Sequence, residues 1–390
     1  MSEAKDAAKA RSATATRAMA EESEQPTKKS KQGFFTVSAA ACRKGVRDEM
    51  QDTHVMLDDF STVLKQPYPT QVRFYAVYDG HAGKNASEYC AEHLHQHLAT
   101  KLPTDTSEKG FGGRMKRCLI DTYTTTDKEF LTTAAAQSPA WKDGCTAATA
   151  VILDQVIYAA NVGDTRMVVG RLDDANDTIK GVTLSKVHIA TLYDERQRIQ
   201  KAGGKVVDGR IQGIMEVSRT IGDGRFKTLG VTAQPHVSKC TLTQKVLTRD
   251  GGGGGGVVAS VVATNPLLSS FPSLSPLRFL RPVPSSTLNV AVLRVARTTV
   301  IRSSPRGVPS CHGQDVFLLL ACDGLWDHLS IADAVAFVWD KIKQEKEAGS
   351  SLDVNCAQRV ANQLVNEAVH RGSDDNVSAL LVLFHNIAAA

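Results

Sequence analysis

The chain has 390 residues, of which 42% are hydrophobic and 22% charged, and this composition suits a soluble globular protein with a substantial core. Its formal net charge of +5 comes from residues 251–314, which hold six arginines and no acidic residue, whereas the rest carries 40 basic and 41 acidic side chains. The positive charge is local, so we expect no nucleic-acid partner. No apolar run has the length of a membrane span, so we expect no membrane partner either.

The N-terminal segment and the cysteines indicate the cellular compartment of the protein. Residues 1–32 are rich in Ala, Lys, Glu, Ser and Thr and contain no apolar core of a secretory signal, which predicts a disordered N-terminal tail. The stretch Lys28-Lys29-Ser30-Lys31 is compatible with a nuclear signal or with a plain solvated charge run. The eight cysteines form no Cys-x-x-Cys pair, which is typical of reduced thiols. We expect a cytoplasmic protein, with the nucleus as the alternative.

Residues 33–387 have the pattern of one folded domain. Apolar, β-branched runs predict strands and 3.6-residue periodicity predicts helices, in this order: strands 35–39 and 71–78, helices 85–102 and 115–135, strands 146–153, 156–161 and 167–171, helix 193–202, strand 316–321, helices 331–343 and 354–370, strand 377–384. Strands follow strands and helices come in groups. This order favours an α+β fold with antiparallel sheets and helices packed outside over a parallel alternation.

Residues 250–313 interrupt this pattern. The segment opens with six glycines and continues as a Ser/Pro/Leu/Val/Arg mixture without acids or lysine. Such a composition is typical of a low-complexity surface insertion, and we predict that it interrupts the domain without contributing to the core.

Carboxylates recur at the ends of the apolar runs. Asp79 follows FYAVY, Asp323 follows VFLLLAC, Asp375 precedes the last strand and Asp52 follows RDEMQ. A single Asp-Gly pair would be explained by a tight turn. Several converging carboxylates would repel one another unless a hard divalent cation such as Mg²⁺ or Mn²⁺ lay between them. The recurrence therefore predicts a metal site.

The motifs as a set resemble those of the metal-dependent, type-2C protein serine/threonine phosphatases. The matching stretches, in the order of that family, are KGVRDEMQD (44–52), YAVYDGHAG (75–83), DGCTAATAVI (143–152), AANVGDTR (159–166), RIQKAGGKVVDGRI (198–211), EVSRTIGDGRFK (216–227), LLLACDGLWD (318–327) and GSDDNVS (372–378). The resemblance implies a four-layer αββα sandwich, in which two antiparallel sheets are flanked by helix pairs. It also implies a monomer that hydrolyses phosphoserine and phosphothreonine in phosphorylated proteins, using a hydroxide that bridges two Mg²⁺ or Mn²⁺ ions.

The resemblance assigns the metal-binding residues. Asp79 would bridge both ions and the carbonyl of Gly80 would bind one of them. Asp323 and Asp375 would complete the coordination of the other ion. Asp52 and Gln51 would lie near water ligands; Gln51 stands where many members have glutamate. Trp141 and Lys142 stand where an aspartate for a third ion would be, and Asp143 is out of register, so no third ion is assigned.

The resemblance also assigns the substrate-contacting residues. Arg47 would hold the phosphate oxygens, with a structural ion pair as the alternative. His81 would protonate the leaving alkoxide, with a structural role at a helix start as the alternative. Asp164 is expected to form a structural pair with Arg166 or another arginine. Asp223 would touch the metal-water shell or serve a structural role.

The segment 184–232 corresponds to the flap beside the active cleft of the family, where substrates would be selected. Here Val187, Ile189 and Ala190 stand where an acidic residue and a following proline are usual. The alternative to an active phosphatase is a catalytically impaired member that serves as a phosphoprotein-binding scaffold. Arg47, His81 and the predicted metal-binding aspartates are all present, which favours the enzyme.

Overall fold

The computed structural model describes residues 34–173, 175–243 and 313–386. The predicted tail, and all of the predicted insertion except Gly313, lie outside the described residues. None of the described helices combines the length and the apolar composition that crossing a membrane requires.

Two five-stranded antiparallel sheets form the centre of the domain. The first has the order β1-β15-β14-β8-β9, with β1 at Phe34–Arg43, β15 at Val377–Asn386, β14 at Gln314–Ala321, β8 at Arg166–Asp173 and β9 at Thr178–Thr183. The second has the order β13-β7-β6-β3-β2, with β13 at His236–Thr241, β7 at Val156–Val162, β6 at Ala147–Leu153, β3 at Val72–Tyr78 and β2 at Thr53–Leu57. Every pairing within these sheets is antiparallel.

Strand β3 shows why a central strand is apolar on both of its faces, with Arg73 as its one charged residue. Tyr75 and Val77 point into the cluster between the two sheets, whereas Phe74, Ala76 and Tyr78 point into the cluster under the helices. All seven residues of the strand are buried. A strand covered on both faces loses the alternation of apolar and polar residues and becomes a continuous apolar run.

A pair of long helices covers the outer face of each sheet. Helices α1 (Asn85–Lys101) and α2 (Phe111–Ala135) pack on the second sheet, and α6 (Ile331–Glu347) and α7 (Val354–His370) pack on the first. Three shorter helices are α3 (Tyr193–Lys201), α4 (Gly224–Lys227) and α5 (Asp323–Trp326), and residues Phe60–Thr62 form a 3₁₀ turn. The predicted α+β, four-layer sandwich is confirmed.

Side-chain caps fix where the helices over the first sheet begin. The hydroxyl of Ser330 accepts a hydrogen bond from the amide of Asp333 at 3.1 Å, and the carboxylate of Asp353 accepts one from the amide of Cys356 at 3.0 Å. Each cap satisfies an amide that has no partner within the first turn of its helix.

Short strand pairs connect the loops at one end of the sandwich. A three-stranded sheet has the order β12-β5-β4, with β12 at Ile221–Gly222, β5 at Gly144–Cys145 and β4 at Gly80–His81. A two-stranded pair joins β10 (Val206–Val207) to β11 (Arg210–Ile211) within the flap segment, residues 184–232. The flap segment has its own apolar cluster, which includes Ile199, Met215 and Phe226.

The structure contains three long-sheet strands that the sequence pattern missed: β2, β9 and β13. Strands β2, β9 and β13 lie at sheet edges and are only partly buried. An edge strand packs on fewer neighbours, so its sequence needs fewer apolar residues and resembles a loop.

The residues that flank the predicted insertion lie side by side. The amide of Asp315 donates to the carbonyl of Thr243 at 2.8 Å, and the amide of Thr243 donates to the Asp315 carboxylate at 2.7 Å. Asp315 is fully buried and is also paired with Arg171, whose Nε lies 2.7 Å from its Oδ1. The chain therefore leaves and re-enters the domain at one anchored point.

Deleting residues 250–313 is expected to keep or raise the unfolding temperature, because a shorter loop costs less entropy to close, by about 0.6 kcal/mol for each halving of its length. Thermal unfolding of the deletion variant and the full chain checks this. Adding Asp315→Ala to the deletion variant should lower the temperature, since it removes the anchor. A deletion variant that does not fold would show that the segment is part of the domain.

Candidate metal centre and active site

Three aspartates meet at the end of the sandwich. One carboxylate oxygen from each of Asp79, Asp164 and Asp323 lies within 4.8 Å of the other two. Asp79 directly follows β3, Asp164 lies between β7 and β8, and Asp323 is the first residue of α5 after β14. Both sheets therefore contribute a carboxylate to one point, although the three residues are far apart in the sequence.

The backbone around Asp79 is fixed by Thr146. The amide of Thr146 donates to the Asp79 carbonyl at 2.8 Å, and the amide of Asp79 donates to the Thr146 hydroxyl at 3.3 Å. Because both residues follow or precede strands of the second sheet, Asp79 has little freedom to move.

Burial and mutual repulsion disfavour charge on these aspartates. Burial, and then the charges of Asp323 and Asp52, raise the pKa of Asp79 well above its ordinary value. The same two causes, burial and the charge of Asp323, raise the pKa of Asp164 to about 7. Burial and the charge of Asp375 raise the pKa of Asp323. Burial is also the main cause that raises the pKa of Asp52 to about 6.

This environment fits a hard divalent cation. The donors are all carboxylate oxygens, the ligand type that Mg²⁺ and Mn²⁺ prefer. Oδ1 of Asp164 is buried and has no hydrogen-bond partner among the described residues. A cation would offset the repulsion between the aspartates and supply this missing partner. The residues present are therefore compatible with the predicted metals.

Gly80 follows Asp79 at a position too crowded for a side chain. A Cβ atom there would lie 2.4 Å from the carbonyl oxygen of Gln51 and 2.9 Å from the Ser87 hydroxyl. The loop of Gln51 is itself held, since its amide donates to Asn376 Oδ1 at 2.7 Å and its side-chain amide donates to Glu49 at 2.9 Å. The strand end and this loop therefore approach each other closely only because residue 80 is glycine.

Arg47 forms an ion pair with Asp375. Its Nη2 lies 2.5 Å from Asp375 Oδ2, and the arginine side chain is 56% exposed. The other oxygen of Asp375 accepts the amide of Asn376 at 2.7 Å. Asp375 lies close enough to Asp323 to affect its pKa but is outside the group of three aspartates. An exposed ion pair of this kind is weak and can be exchanged for another partner.

His81 is paired with Asp223. Its Nε2 lies 2.8 Å from Asp223 Oδ2, and the Asp223 side chain is 2% exposed. Asp223 has a left-handed backbone with φ of 55°, and a Cβ on Gly144 would lie 2.0 Å from its Oδ2. Burial works against charge on the imidazole, but the hydrogen bond to Asp223 and the nearby carboxylates outweigh it and raise the pKa of His81.

The structure corrects the prediction for Asp164. Among the described residues Asp164 forms no ion pair with Arg166 or with another arginine, and Asp164 Oδ1 and Arg166 Nε are both buried without a hydrogen-bond partner there. Asp164 instead lies with Asp79 and Asp323. The sequence contained the relevant pattern, because Asp164 follows the apolar run of β7 just as Asp79 follows β3. The expectation of an ion pair arose because Arg166 lies only two residues after Asp164 in the sequence.

The aspartates and Arg47 open into one cavity of about 630 Å³. The predicted residues that line it are Arg47, Gln51, Asp79, Gly80, His81, Asp164, Asp223, Asp323 and Asp375. Asp52 is buried close by, near enough to Asp323 and Asp375 for their charges to raise its pKa. Asp327 and Glu216 also line the cavity, and the sequence patterns gave no reason to select them.

Comparison with known proteins identifies the class to which this fold and site belong. The family described as Protein phosphatase 2C matches residues 37–246 and 308–377, and the chain belongs to that family of serine/threonine phosphatases. The chain is 36% identical over 349 residues to a Homo sapiens protein, integrin-linked kinase-associated serine/threonine phosphatase 2C, with 87% of this chain and 70% of the relative covered. It is 30% identical to probable protein phosphatase 2C 67 of Oryza sativa subsp. japonica, with 88% and 74% covered.

A solved structure supports the same fold. The serine-threonine phosphatase 2C from Toxoplasma gondii matches with a TM-score of 0.59, 18% sequence identity, and 89% of this chain and 94% of that chain covered. The family predicted from the sequence motifs is confirmed.

Proposed function

We propose that the protein is an active phosphatase that hydrolyses phosphoserine and phosphothreonine in proteins with two Mg²⁺ or Mn²⁺ ions. The observation that carries this proposal is the group of three carboxylates within 4.8 Å of one another, with pKa values raised by burial and mutual repulsion. A scaffold that only binds phosphoproteins would gain nothing from such a costly arrangement.

The residues that would hold the ions are Asp79, the Gly80 carbonyl, Asp323, Asp375 and Asp52. Asp164 would join them, because one of its carboxylate oxygens lies within 4.8 Å of those of Asp79 and Asp323. Cations held there would lower the pKa of a bound water toward neutral pH. Their positive charge would offset the negative charge of the phosphoryl oxygens. Gln51 would hydrogen-bond to coordinated water in place of the glutamate that many members have.

Arg47 would bind the phosphoryl group of the substrate. Arg47 and Asp375 both line the cavity and the arginine side chain is exposed, so the guanidinium can turn from that carboxylate to the phosphate oxygens. A planar guanidinium holds two phosphate oxygens at once, which orients the phosphorus toward the aspartates.

His81 would give a proton to the departing serine or threonine oxygen. Asp223 holds the imidazole at Nε2 and favours its protonated form, so the residue is prepared as an acid. Asp223 therefore acts through His81 and is a positioning residue in this proposal.

The proposal is tested by measuring the hydrolysis of a phosphothreonine peptide with Mn²⁺ and with a chelator. We expect turnover that requires the metal. A protein that binds the peptide in Mn²⁺ without releasing phosphate would be the scaffold, and the proposal would fail.

Loss of the proton donor should depend on the leaving group. We expect His81→Gln to lower kcat for a phosphothreonine peptide by about a hundredfold and Asp223→Asn to lower it by about tenfold. Both variants should lose much less activity on p-nitrophenyl phosphate, because nitrophenolate leaves without a proton. Steady-state kinetics on both substrates checks this. Equal losses on the two substrates would mean that His81 has a structural role.

A further inference from the structure

The cavity is lined by two chemically different groups of side chains. One group comprises the carboxylates, Arg47 and His81, and the other comprises apolar side chains of the flap segment, which also contributes the charged Arg210, Glu216 and Arg225. The apolar lining residues from the flap, here called the apolar wall, are Val187, Ile189, Ile214, Met215, Val217 and Phe226. A phosphoryl group has no apolar surface, so the chemistry of the metal centre does not explain this wall.

Ile214 is the exposed member of this apolar wall, since 55% of the residue is accessible to solvent. It lies in a tight turn in which its amide donates to the carbonyl of Ile211 at 3.0 Å. Gln212 and Gly213 have positive φ angles of 54° and 70°, which the turn requires. The side chain of Ile214 is therefore presented by a defined backbone conformation.

The turn is also held from both sides. Arg210 Nη2 lies 2.8 Å from Glu216 Oε2, and the amide of Met215 donates to the carbonyl of Ile211 at 3.2 Å. The neighbouring chain segments are joined by a bridge between Ile189 and Val217. The wall is thus formed before any ligand arrives, which lowers the entropy cost of binding.

We infer that this wall, with Ile214 as its exposed member, binds a large aliphatic side chain adjacent to the phosphorylated residue of the substrate. This inference rests on the proposed function. The occupant is a segment of the phosphoprotein itself, because the wall is continuous with the metal centre in a cavity of about 630 Å³. A peptide whose phosphate reaches Asp79 can place a neighbouring side chain against the apolar wall, since both line the same cavity. Burial of an aliphatic side chain there is favourable.

The test uses two phosphothreonine peptides that differ only in having leucine or serine on both sides of the phosphothreonine. For the wild type we expect kcat/KM to be about tenfold higher, and Kd by fluorescence anisotropy about tenfold lower, for the leucine peptide. Ile214→Ser should reduce both ratios to near one. Val207→Ser is the matched control, because Val207 is 48% exposed on the same flap segment but does not line the cavity.

The outcomes separate this inference from the proposed function. If neither peptide is hydrolysed, the proposed function fails, and the two Kd values still decide whether the wall prefers leucine. If kcat/KM and Kd of the wild type are the same for the two peptides, the inference is wrong even when both are hydrolysed. The inference is also wrong if Ile214→Ser weakens the binding of both peptides equally. It is wrong as well if Val207→Ser removes the preference for the leucine peptide.

Discussion

Asp79→Asn is expected to lower kcat/KM for a phosphothreonine peptide by at least about a hundredfold, and Asp323→Asn should have a similar effect. Both residues belong to the group of three carboxylates, and an amide oxygen binds a divalent cation more weakly than a carboxylate. Mn²⁺ titration by calorimetry should show weaker binding in both variants. Asp121→Asn, on the exposed surface of α2, is the matched control and should behave as the wild type.

The same Asp79 variant should separate activity from stability. Because burial and repulsion raise the pKa of Asp79, the folded state binds its proton more tightly than the unfolded state, and stability is lost as pH rises above the ordinary pKa of an aspartate. The neutral asparagine removes this cost. Without metal, Asp79→Asn should therefore unfold at a higher temperature than the wild type at pH 7. Addition of Mn²⁺ should raise the unfolding temperature of the wild type more than that of the variant.

Two results would contradict this interpretation of the aspartates. One is full activity of Asp79→Asn in Mn²⁺. The other is a shift of the unfolding temperature by Mn²⁺ that is equal in the wild type and the variant, because the ion would then bind elsewhere.

Arg219→Ala is expected to lower the free energy of unfolding by about 3 kcal/mol at pH 7. Arg219 holds the buried carboxylate of Glu195, with Nη2 2.6 Å from Oε1, and Arg198 lies 2.8 Å from the other oxygen. Ser218 donates a further hydrogen bond to Glu195 at 2.6 Å. Glu195 is 1% exposed, so removing one arginine leaves a buried charge with too few partners.

The matched control lies in the same flap segment. Arg210 and Glu216 form a pair in which both side chains are about half exposed, and Arg210→Ala should cost no more than about 1 kcal/mol. Urea unfolding of both variants decides the comparison. If Arg219→Ala costs no more than Arg210→Ala, the buried network around Glu195 does not stabilise the flap.

Glu195 also predicts an acid dependence. Burial opposes its charge, but the hydrogen bonds from Arg219, Ser218 and Arg198 outweigh it and lower the pKa of Glu195 to about 2. Its contribution to stability is therefore complete above the ordinary pKa of a glutamate and is lost as pH falls toward 2. The difference in unfolding free energy between the wild type and Arg219→Ala should shrink over that range.

The sequence predicted the positions of the strand-end carboxylates because a buried strand has a strong apolar pattern, and a charge at its end stands out. It did not predict that Asp164 joins Asp79 and Asp323, because which strand ends meet depends on the pairing of β8 with β14 and of β7 with β6. The His81–Asp223 pair, 142 residues apart, depends on two-residue strands that have no periodicity to detect. The edge strands were missed for the related reason that partial burial leaves a weak pattern.

The hydrogen bonds between Thr243 and Asp315 make the length of the chain between them nearly irrelevant to the rest of the domain. Doubling the length of a connection between two fixed points costs only about 0.6 kcal/mol, so a lineage could lengthen, shorten or replace this stretch with little selection against it. The same junction would accept a fluorescent reporter or an affinity tag, placed internally and joined at both ends to a rigid support.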